Sequence, residues 1–444
     1  MANQKYWLTS GFYTMMHRGI DFFLGFVGFM LLVRIISPGE FGVWVLLITI
    51  TAIVEMARNG FLQNGMIKFL IGRNIKTQSK IQASALLQNA LLTLIFMVMI
   101  WISADWIERI LHADGLASIL KIHTYVLPVL VIHTHNLVLM QAKYDFKAYF
   151  LAGISKSMPF FLMVLYFYID NRSTSLETLT WLQNLAWILA TMMSCYQVRR
   201  HFRVRGGWHR YWNKKIFHFG KYVFGTNLIS MLTNSLDKFL LGALLSPVQV
   251  AMANAAGRVM NMVEIPVNSI ASISYPKAAA SFDKKHFREV GETYEKTLGM
   301  MLSMTVPFWI FNLVFAHYIV LIIAGEEYLD AVPFLRIVAF TALVKPFDRQ
   351  SGVFLDAVGK PFVNMLMVTG TFMYGAVLSW LFIQSFGLMG AAYGIVTATM
   401  ITAAIKQIIL NRYIPIRLDR AFRHARDNYP RLWKTFIAAL KKAD

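Results

Sequence analysis

The sequence predicts an all-α polytopic membrane protein with about twelve transmembrane helices in two six-helix bundles, and three observations predict it. Of the 444 residues, 57% are hydrophobic and only 15% are charged, whereas soluble domains carry about 25% charged residues. Several runs as long as a membrane span contain no charged residue, and a helix needs roughly 20 apolar residues to cross a bilayer. The basic residues also alternate from one loop to the next.

The twelve helices follow from the apolar runs. Five runs are free of Asp, Glu, Lys and Arg, at 81–104, 122–142, 178–198, 297–325 and 361–405. The last of these is long enough for two helices, and other segments are as apolar but carry isolated charges. The predicted helices start near residues 11, 41, 82, 117, 147, 176, 221, 248, 297, 331, 361 and 388.

The distribution of Lys and Arg predicts the orientation, because short cytoplasmic loops of membrane proteins are enriched in these residues. If both termini are cytoplasmic, 31 of the 43 Lys and Arg residues lie in the cytoplasmic loops and tail, and the loops on the other side hold only Arg109 and Arg172. This asymmetry accounts for most of the net charge of +20. A nucleic-acid partner is therefore not needed to explain the basic composition.

The domain organisation follows from the longest basic connection, which divides the chain into six spans plus six. We predict an N-terminal six-helix bundle at 1–200, a basic cytoplasmic loop at 201–220, a C-terminal six-helix bundle at 221–411 and a basic amphipathic cytoplasmic tail at 412–444. Basic residues alternate with aromatic residues in the tail. This pattern is typical of an interfacial helix on an anionic leaflet, and a surface for a protein partner is the alternative.

A weak internal repeat supports the division into halves. At an offset of 209 residues, Ser37-Pro38 matches Ser246-Pro247, and Val54-Glu55 matches Val263-Glu264. Asn59 also matches Asn268. An even number of spans in each half makes the two repeats parallel about an axis along the membrane normal. We expect a substrate cavity between the two bundles.

Charged residues within the spans are the candidates for function, since each costs about 2.5–3.5 kcal/mol on insertion scales. Five acids lie at depth, and they are Asp21, Glu55, Asp237, Glu264 and Asp348. Seven bases lie at depth, and they are Arg18, Arg58, Lys156, Lys238, Arg258, Lys345 and Arg349. The excess of positive charge suits an anion such as a pyrophosphate.

Local ion pairing is the alternative interpretation of these charges. Residues spaced i,i+3 share one face of a helix, and three opposite pairs have this spacing: Arg18 with Asp21, Glu55 with Arg58, and Lys345 with Asp348. All three pairs could be purely structural. The sequence leaves this choice open.

Enzymatic and metal chemistry is not indicated. His133 and His135 are spaced i,i+2, so they face different directions on a helix and are poorly placed to share a metal. Phosphate-binding loops and H-E-x-x-H are absent from the sequence. The longest outward loop is only about residues 103–116, which is short for a membrane glycosyltransferase or polymerase. We therefore predict neither catalytic nor metal-binding residues.

Two segments carry a resemblance to a known family. Residues 31–42, LLVRIISPGEFG, resemble a pattern of the form L-x-R-x-L-[ST]-P-x-[ED]-[FY]-G, with Ile36 in place of its second Leu. Residues 236–242, LDKFLLG, place an Asp and a basic residue before an apolar run ending in Gly. These segments resemble the first hairpin and the seventh helix of Wzx-type polysaccharide flippases, the O-antigen translocases. That family belongs to the multidrug/oligosaccharidyl-lipid/polysaccharide exporter superfamily.

The resemblance implies a function for the whole chain. It implies movement of undecaprenyl-pyrophosphate-linked oligosaccharide across the bacterial cytoplasmic membrane, by alternating access, for surface polysaccharide biosynthesis. It implies coupling to an H⁺ or Na⁺ gradient and no cofactor. The implied partners are the lipid-linked oligosaccharide, membrane lipids and other polysaccharide-assembly proteins. A multidrug/cation antiporter of the same superfamily is the alternative, and it would favour an acidic cavity.

The resemblance also assigns roles to the charges within the spans. The pyrophosphate and the acidic groups of the sugars would be bound by basic residues, namely Arg58, Arg258, Lys238, Lys345, Arg18, Lys156 and Arg349. Ion coupling or gating would fall to the carboxylates Asp21, Glu55 and Glu264.

Overall fold

The computed structural model describes residues 2–70, 73–199, 201–202 and 209–440, and this part of the chain is helical, with no strand. The helices are α1 (Ala2–Ile35), α2 (Pro38–Leu70), α3 (Ile75–Ile110), α4 (Leu116–Thr124), α5 (Leu127–Ala142), α6 (Phe146–Ile169), α7 (Leu176–Val198), α8 (Arg210–Leu244), α9 (Pro247–Asp283), α10 (Phe287–Ile323), α11 (Ala331–Ala339), α12 (Thr341–Ala357), α13 (Pro361–Phe386), α14 (Leu388–Leu410) and α15 (Leu418–Leu440). When α4 with α5 and α11 with α12 each count as one broken helix, α1–α14 form twelve long segments. The predicted fold class is confirmed.

Several helices are long and apolar enough to cross a membrane. Among the described residues, six helices meet that test by length and composition, and α4 with α5 forms a seventh candidate bent by 55° at its break. The six helices are α2, α3, α6, α10, α13 and α14. The protein is therefore a multi-pass membrane protein.

The repeated Ser-Pro pair has a local structural reason. At the start of α2, Glu40 Oε2 accepts hydrogen bonds from Ser37 N at 3.0 Å and from Ser37 Oγ at 2.8 Å. This is a capping box with proline in the first turn, a combination that favours the start of a helix. At the start of α9, the Ser246 hydroxyl bonds Gln249 in the same way. The two copies of the Ser-Pro pair therefore begin α2 and α9 with similar local hydrogen bonds.

The described chain divides into two compact units. Unit 1 comprises residues 1–235 and 246–251, and unit 2 comprises residues 236–245 and 252–444. Within unit 1, α2 is deeply buried, with Leu46 and Leu47 fully shielded from solvent. Within unit 2, Tyr294 and Phe354 belong to a core cluster that also includes residues of α14 and α15.

The start of α8 differs from the predicted loop at 201–220. Residues 210–220 are helical, and they belong to unit 1 because they pack on its core. Ile216 is fully buried in a core cluster of that unit. Gln88 Nε2 on α3 donates to the Asn213 carbonyl oxygen at 2.7 Å and to Asn213 Oδ1 at 3.1 Å. Because these contacts are tertiary, local charge and hydropathy could not reveal them.

The tail helix α15 packs along α10 in unit 2. Ala421 and Ala425 of α15 are buried, and Glu295 of α10 accepts a hydrogen bond from Arg417 N at 2.9 Å. The carboxylate of Glu295 also lies 4.0 Å from the Arg420 guanidinium. The basic tail is therefore a docked helix over much of its length.

Candidate functional site

Unit 1 contains a cavity of about 170 Å³ between helices α1, α2, α5, α6 and α7. Four of the predicted site residues line it: Asp21, Glu55, Arg58 and Lys156. The other lining residues are His17, Asn59, Leu130, His133, Thr134, Leu137, Gly153 and Trp187. This cavity lies within one unit, whereas the sequence predicted one between the two bundles.

Arg58 is the most deeply buried charge of the cavity, with an exposed fraction of only 1%. Its Nε donates to Asn89 Oδ1 at 3.1 Å, and its Nη2 donates to Thr134 Oγ1 at 3.4 Å. Its Nη1 is buried and makes no hydrogen bond within the described structure. Neutral oxygens thus hold the guanidinium in place and leave its positive charge available to an anion.

Lys156 contributes the second positive charge of the cavity. Its Nζ lies 4.3 Å from the centre of the Trp187 ring, a distance at which a cation is attracted to the aromatic face. The Trp187 ring also contacts His133 edge to face, with ring centres 5.5 Å apart. The ammonium group is therefore stabilised by an aromatic ring in place of a carboxylate.

Among the residues that the structure describes, neither carboxylate of the cavity forms an ion pair. The Ser157 hydroxyl donates a hydrogen bond to Asp21. Over the described part of the chain, the ion pairs within 4.0 Å include neither Arg18 with Asp21 nor Glu55 with Arg58. Two of the three local pairs considered from the sequence therefore do not form.

Close packing brings α1 and α6 together at the cavity wall. A Cβ atom added at Gly153 would lie 1.9 Å from His17 Cε1, so the imidazole of His17 rests directly on the glycine. The same ring contacts Tyr149 edge to face, with ring centres 5.3 Å apart. Gly153 is therefore needed for space at this crossing.

In unit 2, charged residues within the predicted spans form ion pairs with residues of other helices. Lys345 of α12 forms an ion pair with Glu264 of α9, and Asp348 pairs with Lys406 of α14 at 2.7 Å. The third i,i+3 pair, Lys345 with Asp348, is therefore replaced by two long-range pairs. In the sequence Lys406 lies close to the basic tail, but its side chain is only 6% exposed within α14, because its carboxylate partner lies on α12.

The remaining predicted residues do not line the cavity of unit 1. In unit 2, Lys238 lies within electrostatic range of Asp237 and Arg258. Arg349 is exposed on α12. In unit 1, Arg18 is exposed on α1 and does not line the cavity. The structure thus gathers four of the ten predicted residues in one cavity.

Replacement of Lys406 by methionine should destabilise unit 2, because it leaves the Asp348 carboxylate without its partner. We expect the free energy of unfolding to fall by about 1–3 kcal/mol, the cost of an unsatisfied polar group. Thermal unfolding of the detergent-purified protein measures this effect. The double variant Lys406→Met with Asp348→Leu should recover most of the loss, and equal instability of both variants would show that the pair is not responsible.

The sequence did not single out several residues of the cavity. Trp187 lies in a run free of charges, where it is indistinguishable from core or lipid-facing tryptophans. The i,i+2 spacing of His133 and His135 predicts that the two side chains face different directions. Their rings contact different neighbours, Trp187 for His133 and Phe202 for His135. Only tertiary structure places His133 beside Lys156.

Solved structures of polytopic membrane transporters share this fold. The chain matches the lipid II flippase MurJ with a TM-score of 0.77 and 11% identity, over 96% of this chain and 92% of that one. It matches a multidrug resistance MATE family transporter of the MOP superfamily with a TM-score of 0.75 and 15% identity, over 88% of this chain and 94% of that one. At such identities the likeness defines the fold alone.

The sequence defines the family. The model of the polysaccharide biosynthesis protein family matches residues 31–333, and the chain belongs to this family. A protein of Shigella flexneri named as an O-antigen transporter is 24% identical over 234 residues, which are 51% of this chain and 54% of that protein. The chain spans about half the length of the curated relatives it matches. The resemblance to Wzx-type flippases is confirmed.

Proposed function

We propose that the protein is a flippase that moves undecaprenyl-pyrophosphate-linked oligosaccharide across the bacterial cytoplasmic membrane by alternating access, for surface polysaccharide biosynthesis. The observation that carries the proposal is the buried Arg58, whose Nη1 has no hydrogen-bond partner in the described structure. Family membership and the MurJ-like fold support it. They favour transport of a lipid-linked sugar over catalysis.

An arginine in this setting suits a phosphate group. The planar guanidinium presents its donors as a fork that matches phosphate oxygens, and such charge-assisted hydrogen bonds are about twice as strong as neutral ones. Asn89 and Thr134 bond two of the nitrogens and fix the plane of the group. The orientation of the guanidinium is therefore set before an anion arrives, which lowers the ordering cost of binding.

Lys156 supplies the second charge that a pyrophosphate diester requires. The cation–π contact with Trp187 holds its ammonium at the cavity wall, and this contact is weaker than an ion pair with a desolvated carboxylate. An arriving phosphate can therefore draw the ammonium away from the ring. Arg58 and Lys156 together match the two negative charges of the diester.

The carboxylates of the cavity are suited to binding the ion whose gradient drives transport. Asp21 and Glu55 line the same cavity as Arg58, and we assign them to binding of H⁺ or Na⁺ during the transport cycle. In unit 2, we assign Arg258, Lys238 and Lys345 to anionic groups of the substrate and Glu264 to gating through its pair with Lys345. Arg18 and Arg349 are proposed as further contacts for the sugar acids.

The proposed orientation in the membrane follows from the distribution of charged residues along the chain. We propose that both termini lie in the cytoplasm, because the alternate loops and the tail hold most of the Lys and Arg residues. Arg423 and Arg426 are exposed on α15, and Arg417 is exposed just before it. These charges suit the anionic cytoplasmic leaflet. Other polysaccharide-assembly proteins are the proposed protein partners.

A multidrug/cation antiporter is the second candidate function. One observation favours it, since Asp21 and Glu55 line the cavity in equal number with the basic residues. An organic cation bound there would have to lie beside Arg58, which is the most buried charge of the cavity. Repulsion from that desolvated guanidinium disfavours cation binding.

The proposed function is tested with the purified protein in proteoliposomes that contain a fluorescent undecaprenyl-pyrophosphate oligosaccharide. Accessibility of the sugar to an added lectin reports movement between leaflets. We expect transport that protein-free liposomes lack, and no transport of ethidium under the same ion gradients. Transport of ethidium without movement of the lipid-linked sugar would overturn the proposal in favour of the antiporter.

A further inference from the structure

A strongly basic segment of unit 1 lies outside the Arg58 cavity. Residues 178–236 contain no Asp or Glu, whereas 199–221 holds eight Lys and Arg residues. The start of α8, at 210–220, belongs to this segment and directly precedes the predicted span that begins near 221. Clusters of Lys and Arg beside a membrane span are typical of binding sites for anionic lipids. The start of α8 is therefore a candidate lipid-binding surface.

The side chain of Lys215 lies among three aromatic rings. Its Nζ is 5.2 Å from the centre of the Phe69 ring, 5.3 Å from that of Tyr211 and 5.4 Å from that of Trp212. At each of these distances a cation is attracted to an aromatic face. No carboxylate of the described residues lies within 4.0 Å of this ammonium. The rings therefore stabilise the positive charge of Lys215 without cancelling it.

Tyr211 adds a second hydrogen-bond donor beside this ammonium. Lys215 Nζ donates to Tyr211 Oη at 3.2 Å, so the hydroxyl proton of Tyr211 points to a different acceptor. An ammonium group carries three donors, and this bond uses one of them. Two donor groups 3.2 Å apart suit two oxygens of one phosphate group. Charge-assisted hydrogen bonds of this kind are about twice as strong as neutral ones.

The core of unit 1 fixes the walls of this site. Phe69 belongs to a buried core cluster, and Trp212 packs against the same cluster. The rings of Phe69 and Trp212 have centres 6.2 Å apart, and Tyr211 contacts Trp212 edge to face at 5.0 Å. One turn further along α8, Ile216 is fully buried. The surroundings of Lys215 are therefore in place before a ligand arrives, which lowers the ordering cost of binding.

The exposed side of the same helical turns has the composition of a membrane-facing surface. Arg210, Lys214 and Phe217 are exposed there. Basic residues attract anionic headgroups, and aromatic side chains favour the interface between the headgroups and the hydrocarbon. Lys215 lies within about two helical turns of the predicted start of the span, at the level of the headgroup layer. Charge and position together therefore favour an anionic lipid over an acidic soluble partner.

We propose that Lys215 and Tyr211 bind the phosphate group of an anionic phospholipid, in the leaflet that the proposed orientation makes cytoplasmic. The phosphate oxygens accept hydrogen bonds from the Lys215 ammonium and the Tyr211 hydroxyl, and the acyl chains extend into the hydrocarbon beside α8. The bound lipid holds the start of α8 at the membrane surface and stabilises unit 1 by mass action. The site is separate from the Arg58 cavity, whose lining includes neither residue.

Lys214 provides a matched control on the same helical turn. It carries the same charge and is exposed, and the cation–π contacts of the described structure do not include it. Lys214→Gln therefore removes one positive charge from this surface and leaves the aromatic site intact. Tyr211→Phe is a complementary variant, because it keeps the ring beside Lys215 and removes only the hydroxyl group.

The experiment is native mass spectrometry of the delipidated full chain in detergent, titrated with dioleoyl phosphatidylglycerol. We expect Lys215→Gln to weaken binding of the first lipid about 10- to 150-fold, the effect of losing a hydrogen bond to a charged group. Tyr211→Phe should weaken it about 2- to 10-fold, the effect of losing one ordinary hydrogen bond. Lys214→Gln should bind like the wild type, because a micelle of neutral detergent has no charged surface that an exposed lysine could contact.

Two further ligands test the identity of the occupant. Dioleoyl phosphatidylcholine carries no net charge and should bind much more weakly, so equal binding of the two lipids would overturn the assignment to an anionic lipid. Displacement of the first lipid by millimolar inorganic phosphate would assign the site to a soluble anion and also overturn it. Unchanged affinity in Lys215→Gln, or an equal loss in Lys214→Gln, would show that the aromatic site does not bind the lipid. A loss confined to Lys215→Gln and Tyr211→Phe supports the proposal.

Discussion

Replacement of Arg58 by glutamine should abolish transport of the lipid-linked oligosaccharide, with a loss of substrate affinity of about 10- to 150-fold. The magnitude follows from the loss of a hydrogen bond to a charged group, which contributes about 1.5–3 kcal/mol. Glutamine retains a polar side chain that can bond Asn89 or Thr134, so the cavity wall is conserved. Flipping in proteoliposomes and binding of the pyrophosphate diester measure the effect.

Arg109→Gln is the matched control, since Arg109 lies at the end of α3 and its Nε donates to the carbonyl oxygen of Asp105. This variant should transport like the wild type. Arg58→Lys should be intermediate, because a lysine keeps the charge and loses the planar fork. Normal transport by a well-folded Arg58→Gln variant would remove Arg58 from the binding site.

Replacement of Gly42 by alanine should strongly destabilise unit 1. A Cβ atom at this position would lie 1.8 Å from the carbonyl oxygen of Pro247 and 2.4 Å from its carbonyl carbon. A backbone carbonyl cannot rotate away as a flexible side chain can, so one helix start must shift. Overpacking of this kind costs about 3 kcal/mol, and thermal unfolding of the purified variant measures the loss.

Gly39→Ala provides the matched control for this prediction. A Cβ atom at Gly39 would lie 3.9 Å from Val248 Cγ2, an ordinary van der Waals distance. Both glycines lie in the first turns of α2, and both face the segment at 246–251. Similar stability of the two variants would mean that the approach of Pro247 to Gly42 is unimportant. A larger loss of stability in Gly42→Ala than in Gly39→Ala would explain why the P-x-[ED]-[FY]-G pattern ends in glycine.

The number of helices could be predicted from the sequence, but several of their ends could not. Hydropathy marks the part of a helix that lies in the hydrocarbon, whereas backbone hydrogen bonding continues beyond it. Helix α3 starts at Ile75, seven residues before the predicted start. Its 36 residues span about 54 Å, well beyond a hydrocarbon core of about 30 Å. The charged turns of such helices appear as loops in a hydropathy profile.

The candidate site was only partly predictable for a similar reason. Arg58 and Lys156 were found because a charge within an apolar run is costly and therefore informative. Their partners were not, because the nearest opposite charge in the sequence is not the nearest group in space. Glu55 lies three residues from Arg58, yet Asn89 and Thr134 bond the guanidinium. The opposite error arises at Lys406. Its position near the basic tail suggests an exposed side chain, whereas the side chain is buried and forms an ion pair with Asp348.

Arg58 is proposed to bind the pyrophosphate of the substrate within the cavity of unit 1. A cryo-electron microscopy structure of the full chain with bound undecaprenyl-pyrophosphate oligosaccharide tests it most directly. We predict a phosphate oxygen about 2.7–3.2 Å from Arg58 Nη1, with the Lys156 ammonium displaced from Trp187 towards the same group. A well-resolved pyrophosphate bound elsewhere, with Arg58 and Lys156 arranged as in the unliganded protein, would contradict the claim.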